Sequence, residues 1–409
     1  MAGKTTRSKK LQAVKEEAED LNIGGAKLDL KDLEKAGFTL LKNSTYASVD
    51  NYVPTGLPAL DVTMGGGIPL SRITQFFASN GVGKSMLAIQ IVKHAISMEL
   101  PVVYLDTEGT FSSQLLEDMG VDSSKVFVKG TTMQDPEGLT IEALGESIEA
   151  AIDLFDKYKK PIIFIYDSVG ASISRKTMEK DFGDEQPGIQ AKAITKLIQK
   201  VAPKITASNS ALILLNQIRQ NIGGGPFSSV NVPGGEALEH SLSLNYQMSR
   251  LGQVKKGDKY EGHKVKFKNK KSKVSTPFQE AEQFLYGGDG FNEYVNTIYT
   301  AEQLKLITIP SAGGKKIRVP NKETGEVESF SYYDFLDTIA TPEGAEEYMY
   351  FLKPLFQKIV KHYFPEEFPP LKNKDVNVQL SPLYEGIEDI YKEDNKEEDT
   401  KASTEDKAE

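Results

Sequence analysis

The segment Ala78-Ser79-Asn80-Gly81-Val82-Gly83-Lys84-Ser85 sets small residues, two glycines, a lysine and a hydroxyl between an apolar run and a helical pattern. The first N–H groups of a helix have no partner inside it, so such a turn wraps phosphates with its backbone. Ser79, Asn80, Gly81, Val82, Gly83, Lys84 and Ser85 are therefore the candidate phosphate-loop residues, with Lys84 reaching β and γ oxygens and the Ser85 hydroxyl ligating Mg2+. The pattern G-x-x-x-x-G-K-[ST] is broken at its first position by Ala78, whose Cβ would strain the loop if that position needed a positive φ. Two further strand ends supply carboxylates. Ile162–Asp167 ends in Asp167, in the form of a Walker B strand whose aspartate holds Mg2+. The run Tyr104-Leu105-Asp106-Thr107-Glu108 ends another strand and brings Glu108 to where a water attacking a γ-phosphate is oriented. A single aspartate after an apolar strand is most often a turn or cap residue, so it is their order behind a phosphate loop that gives these carboxylates a chemical role.

The elements that must position these groups are legible as a pattern. Apolar runs of strand length (73–77, 101–106, 161–167 and 211–216) alternate with segments of helical period, such as Ile141, Leu144, Ile148, Ile152 and Phe155, or Ile194, Leu197, Ile198, Val201 and Ile205. Unbroken apolar strands separated by amphipathic helices predict an α/β fold with a mostly parallel central sheet and flanking helices. Four regions follow. Residues 1–48 form a lysine-rich arm with a helix over Leu11–Leu21, ended by Asn22 and Gly24-Gly25. Residues 49–290 form the core, 291–383 a small C-terminal domain with a helix near Glu346–Tyr363, and 384–409 a disordered acidic tail.

Composition narrows the function classes. The chain has 409 residues, no cysteine, and four histidines without ligand spacing, which argues against disulfides and zinc chemistry. It lacks an apolar run of spanning length, and its first residues lack the apolar stretch of a signal peptide; a cytoplasmic protein is expected, with no membrane partner. The net charge of −9 is concentrated at the end, where residues 385–409 hold eleven acids against four lysines. Residues 255–273 hold nine lysines against Asp258 and Glu261, a footprint suited to phosphate, although a charge run is more often simply a solvated face.

Taken together these segments resemble the bacterial RecA recombinase family and its phage-encoded relatives, a setting in which the cytoplasm would be the host's. The resemblance begins at Thr55-Gly56-Leu57-Pro58-Ala59-Leu60-Asp61 and Gly65-Gly66-Gly67-Ile68-Pro69, ahead of the phosphate loop. It continues through Leu105-Asp106-Thr107-Glu108, Tyr166-Asp167-Ser168-Val169-Gly170-Ala171, Asn216-Gln217-Ile218-Arg219, Pro233-Gly234-Gly235-Glu236-Ala237-Leu238 and Thr276-Pro277-Phe278. It implies a RecA-like P-loop NTPase core, ATP and Mg2+ as cofactors, and DNA-dependent ATP hydrolysis. By resemblance Glu108 is the catalytic glutamate, Gln217 the γ-phosphate sensor, and Lys271 and Lys273 the pair that reaches ATP on a neighbouring protomer. Residues 179–192 and 217–235 correspond to the two DNA-binding loops. Lys192, Thr195, Arg219, Ile222, Gly234 and Gly235 fall on primary DNA contacts, and Arg250, Lys266 and Lys268 on a second DNA site. Leu115 stands where an adenine-contacting tyrosine is expected, Glu239 and His240 replace an interface Lys-Phe pair, and Gln199 replaces a DNA-contacting arginine.

The implied function is homologous pairing and strand exchange by a homo-oligomeric helical filament on single-stranded DNA. Its partners would be homologous duplex DNA and a single-strand-binding or loading protein. A hexameric helicase shares the phosphate loop but not the 216–238 segment or the paired lysines. A mediator using ATP only as a switch would not need Lys84, Glu108 and Asp167 together.

Overall fold

The computed structural model describes residues 21–23, 26–39, 49–130, 135, 137–179, 188–218, 232–256, 258–310, 314–373 and 381–392. The chain divides into two units, Met1–Ser48 and Val49–Glu409. In the first, Leu21–Ile23 pairs antiparallel with Ala26–Leu28. A short helix, Leu30–Lys35, follows, with the Asp29 carboxylate accepting from Lys31 N at 2.8 Å. The helix expected over Leu11–Leu21 lies outside the described residues except at Leu21, which is in a strand and not in a helix.

The second unit is built on an eight-stranded sheet. Its strands are β1 (Arg72–Ala78), β2 (Val102–Asp106), β3 (Val126–Lys129), β4 (Ile163–Asp167), β5 (Ala211–Gln217), β6 (Leu244–Lys256), β7 (Lys259–Ser272) and β8 (Glu280–Tyr286). Across the sheet the order is β8-β7-β6-β1-β5-β4-β2-β3. The six strands from β6 to β3 are parallel, and β7 and β8 add an antiparallel wing. The expected strands therefore stand at their expected places, and the lysine-rich segment supplies the end of β6 and all of β7.

Strand alternation divides the apolar residues between two faces. Phe76, Tyr104, Ile163, Ile165, Ile213 and Leu215 pack on one side against Leu87, Ala88, Ile91, Val92 and Ala95 of α2 (Lys84–Ser97), which follows α1 (Pro58–Met64). Ile73, Val103, Leu105, Phe164, Tyr166, Leu212 and Leu214 pack on the other side. There they meet Ile141, Leu144, Ile148 and Ile152 of α3 (Ile141–Asp156) and Ile194, Leu197, Ile198, Val201 and Ile205 of α4 (Ile189–Ala207). Coverage of both faces explains why these strands are apolar throughout.

The C-terminal part differs from its expected division. Phe291 belongs to the core beneath the phosphate loop, and residues beyond it build a cluster that begins on the sheet itself with Phe284 and Tyr286 of β8. That cluster takes in α6 (Glu293–Gln303), α7 (Tyr332–Ala340) and α8 (Met349–Tyr363), after α5 (Gly235–Ser241) in the chain. The helix expected near Glu346–Tyr363 is two helices meeting at Tyr348. The acidic end does not begin to leave the fold at 384, because Leu383, Tyr384 and Ile387 are buried in this cluster. Residues 393–409 lie outside the described residues.

Buried charge joins this cluster to α2. Glu293, at the start of α6, lies 3.1 Å from Lys93 Nζ and 3.5 Å from His94 Nε2, and accepts from Ser381 Oγ at 2.8 Å. Burial pulls His94 down to about 4, with Glu293 opposing and Lys93 adding to the fall. Burial alone would raise the Glu293 carboxyl, but Lys93 and His94 hold it below its ordinary value. In the unfolded chain His94 takes up a proton near pH ~6.5, so unfolding binds protons between that value and the folded value, and acid favours the unfolded state. The Glu293 shift acts in the same direction below the ordinary glutamate value. The His94 contribution to stability against urea is therefore expected to be full above pH ~6.5 and to fall towards pH ~4, by at most ~3 kcal/mol. His94→Gln should flatten that part of the profile; an unchanged slope would show that His94 does not titrate on unfolding.

Candidate nucleotide site and DNA-facing residues

The parallel registers bring the strand ends to one line. Ala78 lies opposite Gln217, Asp167 opposite Leu215 on one side, and Asp106 opposite Asp167 on the other. Ala78 is the last residue of β1, is fully buried, and is not among the residues with positive φ, so its Cβ strains nothing. The left-handed positions are Gly81 (φ 70°) and Gly83 (φ 107°), the second being the N-cap of α2. No acceptor among the described residues takes a bond from the backbone N–H groups of Gly81 to Met86. This loop and Glu108, Asp167 and Gln217 line an open cleft of about 340 Å³.

Within it, Lys84 is buried, its Nζ donating to the Ser79 carbonyl at 3.2 Å and the Ala78 carbonyl at 3.4 Å. Burial lowers its pKa, with Asp167 and Glu108 opposing. Ser85 Oγ donates to Asp167 Oδ2 at 2.9 Å, and Tyr104 OH donates to the same oxygen at 2.7 Å. Burial raises the Asp167 carboxyl, against the two hydroxyl bonds and Lys84; Glu108 adds to the rise. The Ser85 hydroxyl and Asp167 carboxylate are hard oxygen donors beside a phosphate-wrapping loop, a set that fits Mg2+, which keeps water and phosphate among its ligands. Among the described residues no group of three or more His, Cys, Asp or Glu side chains forms a metal cage, so a divalent ion there would depend on that mixed set.

Glu108 is held from two sides. Its Oε1 accepts from Ser168 Oγ and from Gln217 Nε2, each at 2.7 Å. The loop that carries it is folded around Asp106, whose carboxylate accepts from the N–H groups of Glu108, Gly109, Thr110 and Phe111. Asp106, Ser168 and Tyr104 were not singled out from sequence. An aspartate at a strand end followed by Thr-Glu-Gly is the available signal for the first, and nothing local marks the other two. A buried amide chain also escaped notice: Gln75 Nε2 donates to Asn245 Oδ1 at 3.0 Å, and Asn216 Nδ2 donates to Gln75 Oε1 at 3.2 Å and to the Pro233 carbonyl at 2.8 Å.

The candidate DNA residues are spread more widely. Lys192 is exposed in the first turns of α4, and Thr195 Oγ1 donates back to the Ala191 carbonyl at 2.8 Å. Gly234 (φ 106°) starts α5, and a Cβ there would come within 2.4 Å of Leu238 Cδ2. Arg219 and Ile222, with residues 180–187 of the first loop, lie outside the described residues. Lys266 and Lys268 both pair with Glu280 on β8, at 2.5 and 3.2 Å. Arg250 Nη2 instead donates to the Gly81 carbonyl at 2.7 Å. Lys271 Nζ donates to the Glu239 and His240 carbonyls, and Lys273 Nζ to the His240 carbonyl at 2.9 Å, so both cap the last turn of α5 and neither lines the cleft. Leu115 packs against the main core, as does Phe111, which stacks on Tyr104 at 3.7 Å.

A phosphate loop between β1 and α2, with carboxylates at the ends of β2 and β4 of a mostly parallel sheet, defines a P-loop nucleotide-hydrolase core. The family model for the RecA N-terminal domain matches residues 27–292. The chain is 32% identical over 259 residues to Protein RecA of Aquifex pyrophilus, covering 63% of this chain and 71% of that one. It is 30% identical over 251 residues to Protein RecA of Thermus aquaticus (61% and 71%). It is 31% identical over 257 residues to the mitochondrial DNA repair protein recA homolog of Dictyostelium discoideum (62% and 54%). The chain belongs to the RecA family.

Tyr104→Phe removes one of two hydroxyls donating to the buried Asp167 oxygen. The variant is expected to lose about 1 kcal/mol of stability and to require more Mg2+ for half-maximal ATP hydrolysis, measured by magnesium titration. An unchanged magnesium midpoint would show that Tyr104 serves packing alone.

Proposed function

We propose that this chain binds ATP with Mg2+ in the cleft described and hydrolyses it while assembled as a helical filament on single-stranded DNA, where it pairs and exchanges strands with a homologous duplex. As a RecA-family chain it is a recombination protein and a DNA-dependent ATPase. The observation that carries the finer reading is the convergence on one cleft of Lys84 and Ser85, from the start of α2, with Asp167, Glu108 and Gln217, from the ends of separate strands. Lys84 and the loop N–H groups bind the phosphates, and Ser85 with Asp167 holds Mg2+, which neutralises phosphate charge when bound. Glu108, oriented by Ser168 and Gln217, takes the proton of the attacking water.

Gln217 gives this site a route to DNA. The segment after it is tied at both ends to the nucleotide side: Ile218 N donates to the Ala78 carbonyl at 3.0 Å, and Asn216 holds the Pro233 carbonyl. A shift of Gln217 against Glu108 would therefore be felt by the loop that carries Arg219 and Ile222. On this reading Lys192, Thr195, Gly234 and Gly235 contact the primary strand, and Lys266 and Lys268 exchange Glu280 for DNA phosphate, a salt-sensitive contact. Lys271 and Lys273 complete the site of an adjacent protomer, stabilising charge at its γ-phosphate as a trans-acting cation does. To do so they leave the α5 carbonyls they cap here. A single-strand-binding or loading protein is the partner expected to assist assembly.

Electron microscopy with single-stranded DNA and a non-hydrolysable ATP analogue is expected to show helical filaments; closed rings would favour a helicase. The shared site is tested by mixing Lys84→Ala with Lys271→Ala/Lys273→Ala protein. Each alone should lack DNA-stimulated hydrolysis, and the mixture should recover part of it, because one junction type joins an intact loop to intact lysines. No recovery in demonstrably mixed filaments would rule the shared site out.

A further inference from the structure

The phosphate loop is seated on the antiparallel wing and on the part of β6 that pairs with it, by three side chains from three neighbouring strands. Arg250 of β6 donates to the Gly81 carbonyl at 2.7 Å. His263 of β7, almost fully buried, points Nε2 at the Val82 carbonyl at 3.4 Å. Leu285 of β8, paired directly with His263, fills the space beside Gly83, where a Cβ would come within 2.2 Å of its Cδ1. Tyr260 OH lies 2.6 Å from His263 Nδ1. A carbonyl can only accept, so the contact to Val82 requires the proton on Nε2, and Nδ1 of the neutral ring then accepts from the Tyr260 hydroxyl.

These contacts matter because of peptide planarity. In a trans peptide the C=O and the following N–H point in opposite directions in one plane. Holding the Gly81 carbonyl outward therefore aims the Val82 N–H inward, and holding the Val82 carbonyl aims the Gly83 N–H. Both planes adjoin glycines with positive φ, whose backbone would otherwise turn freely. The donors that wrap phosphate are thus oriented by bonds made on the opposite edge of the same peptide groups.

We propose that Arg250 and His263 are positioning residues for nucleotide binding, fixing the peptide planes of the phosphate loop from the wing, and that Arg250 serves this purpose in place of a second DNA site. The inference rests on residues 79–85 being the phosphate loop. The wing also carries the Lys266 and Lys268 pairs with Glu280, on the opposite face of β7 from His263. A load on those lysines would thus reach the loop through the strand that seats it.

The test compares Arg250→Ala, Arg250→Lys and His263→Leu with the unaltered chain, measuring affinity for a fluorescent ATP analogue with Mg2+ and the KM and kcat of DNA-stimulated hydrolysis. Loss of one such bond is expected to weaken nucleotide affinity and raise KM roughly 3- to 10-fold, with a smaller change in kcat. Arg250→Lys, which can still donate to the Gly81 carbonyl, should recover most of the loss, with thermal melting close to that of the unaltered chain. Should His263→Leu fail to fold, the Arg250 pair decides alone. Unchanged affinity and KM in Arg250→Ala would overturn the proposal, and if duplex binding fell at the same time Arg250 would return to the DNA surface. Failure of the unaltered chain to bind the analogue would instead remove the phosphate-loop reading itself.

Discussion

Keeping the buried Asp167 carboxylate satisfied is the constraint on which the nucleotide cleft depends. Burial penalises its charge, and the structure answers with hydroxyls from Tyr104 and Ser85 on one oxygen and with the Lys84 ammonium nearby. These groups come from β2 and from the first turn of α2, so the carboxylate's environment is correct only if α2 is docked on the sheet and β2 is in register with β4. The apolar packing of Leu87, Ile91, Val92 and Ala95 beneath α2 is thus part of the site's electrostatics. A shift of α2 would move Ser85 and Lys84 together, leaving Asp167 with the Tyr104 hydroxyl alone and without the Lys84 charge.

A second constraint runs across the sheet. The buried amides of Asn245, Gln75 and Asn216 join neighbouring strands β6, β1 and β5. Buried amides that find partners favour one register, because a slip would leave them unpaired. Asn216 extends the chain to the Pro233 carbonyl and, through its own Oδ1, to the Gln217 N–H at 3.0 Å. The side chain that contacts Glu108 is therefore placed by a network that begins on the strand bearing Arg250. The loop at 79–85, Glu108 and the strand bearing Arg250 share one polar scaffold.

The C-terminal cluster is fastened to the same scaffold. Glu293 holds Lys93 and His94 at the far end of α2, and Phe291 lies near Gly83 at its start, so both ends of that helix are gripped by chain beyond β8. Lys271 and Lys273 rest on α5 at Glu239 and His240, where their hydrogen bonds go to main-chain carbonyls and the Glu239 charge adds to the attraction. Changes of side chain at those two positions therefore leave the hydrogen bonds of the lysine perch in place within a protomer.

The chemistry was legible in the sequence wherever it depends on local order. A strand, a glycine turn, Lys84 and Ser85 in succession specify a phosphate loop, because their neighbours in sequence are also their neighbours in space. Unbroken apolar strands alternating with amphipathic helices specified the parallel sheet, because only burial on both faces makes such strands stable. Periodicity did not reveal that Phe291, Tyr384 and Ile387 belong to shared cores, since a helical pattern states which face is buried but not against what. Tyr104, Ser168 and the Asn245–Gln75–Asn216 chain act through partners that lie mostly on other strands or the loops after them, and no spacing in one strand foretells another's register. Arg250 shows the same limit: as one cation in a strand it carries no sign of its partner, and only the tertiary fold places its guanidinium on the Gly81 carbonyl, 169 residues away.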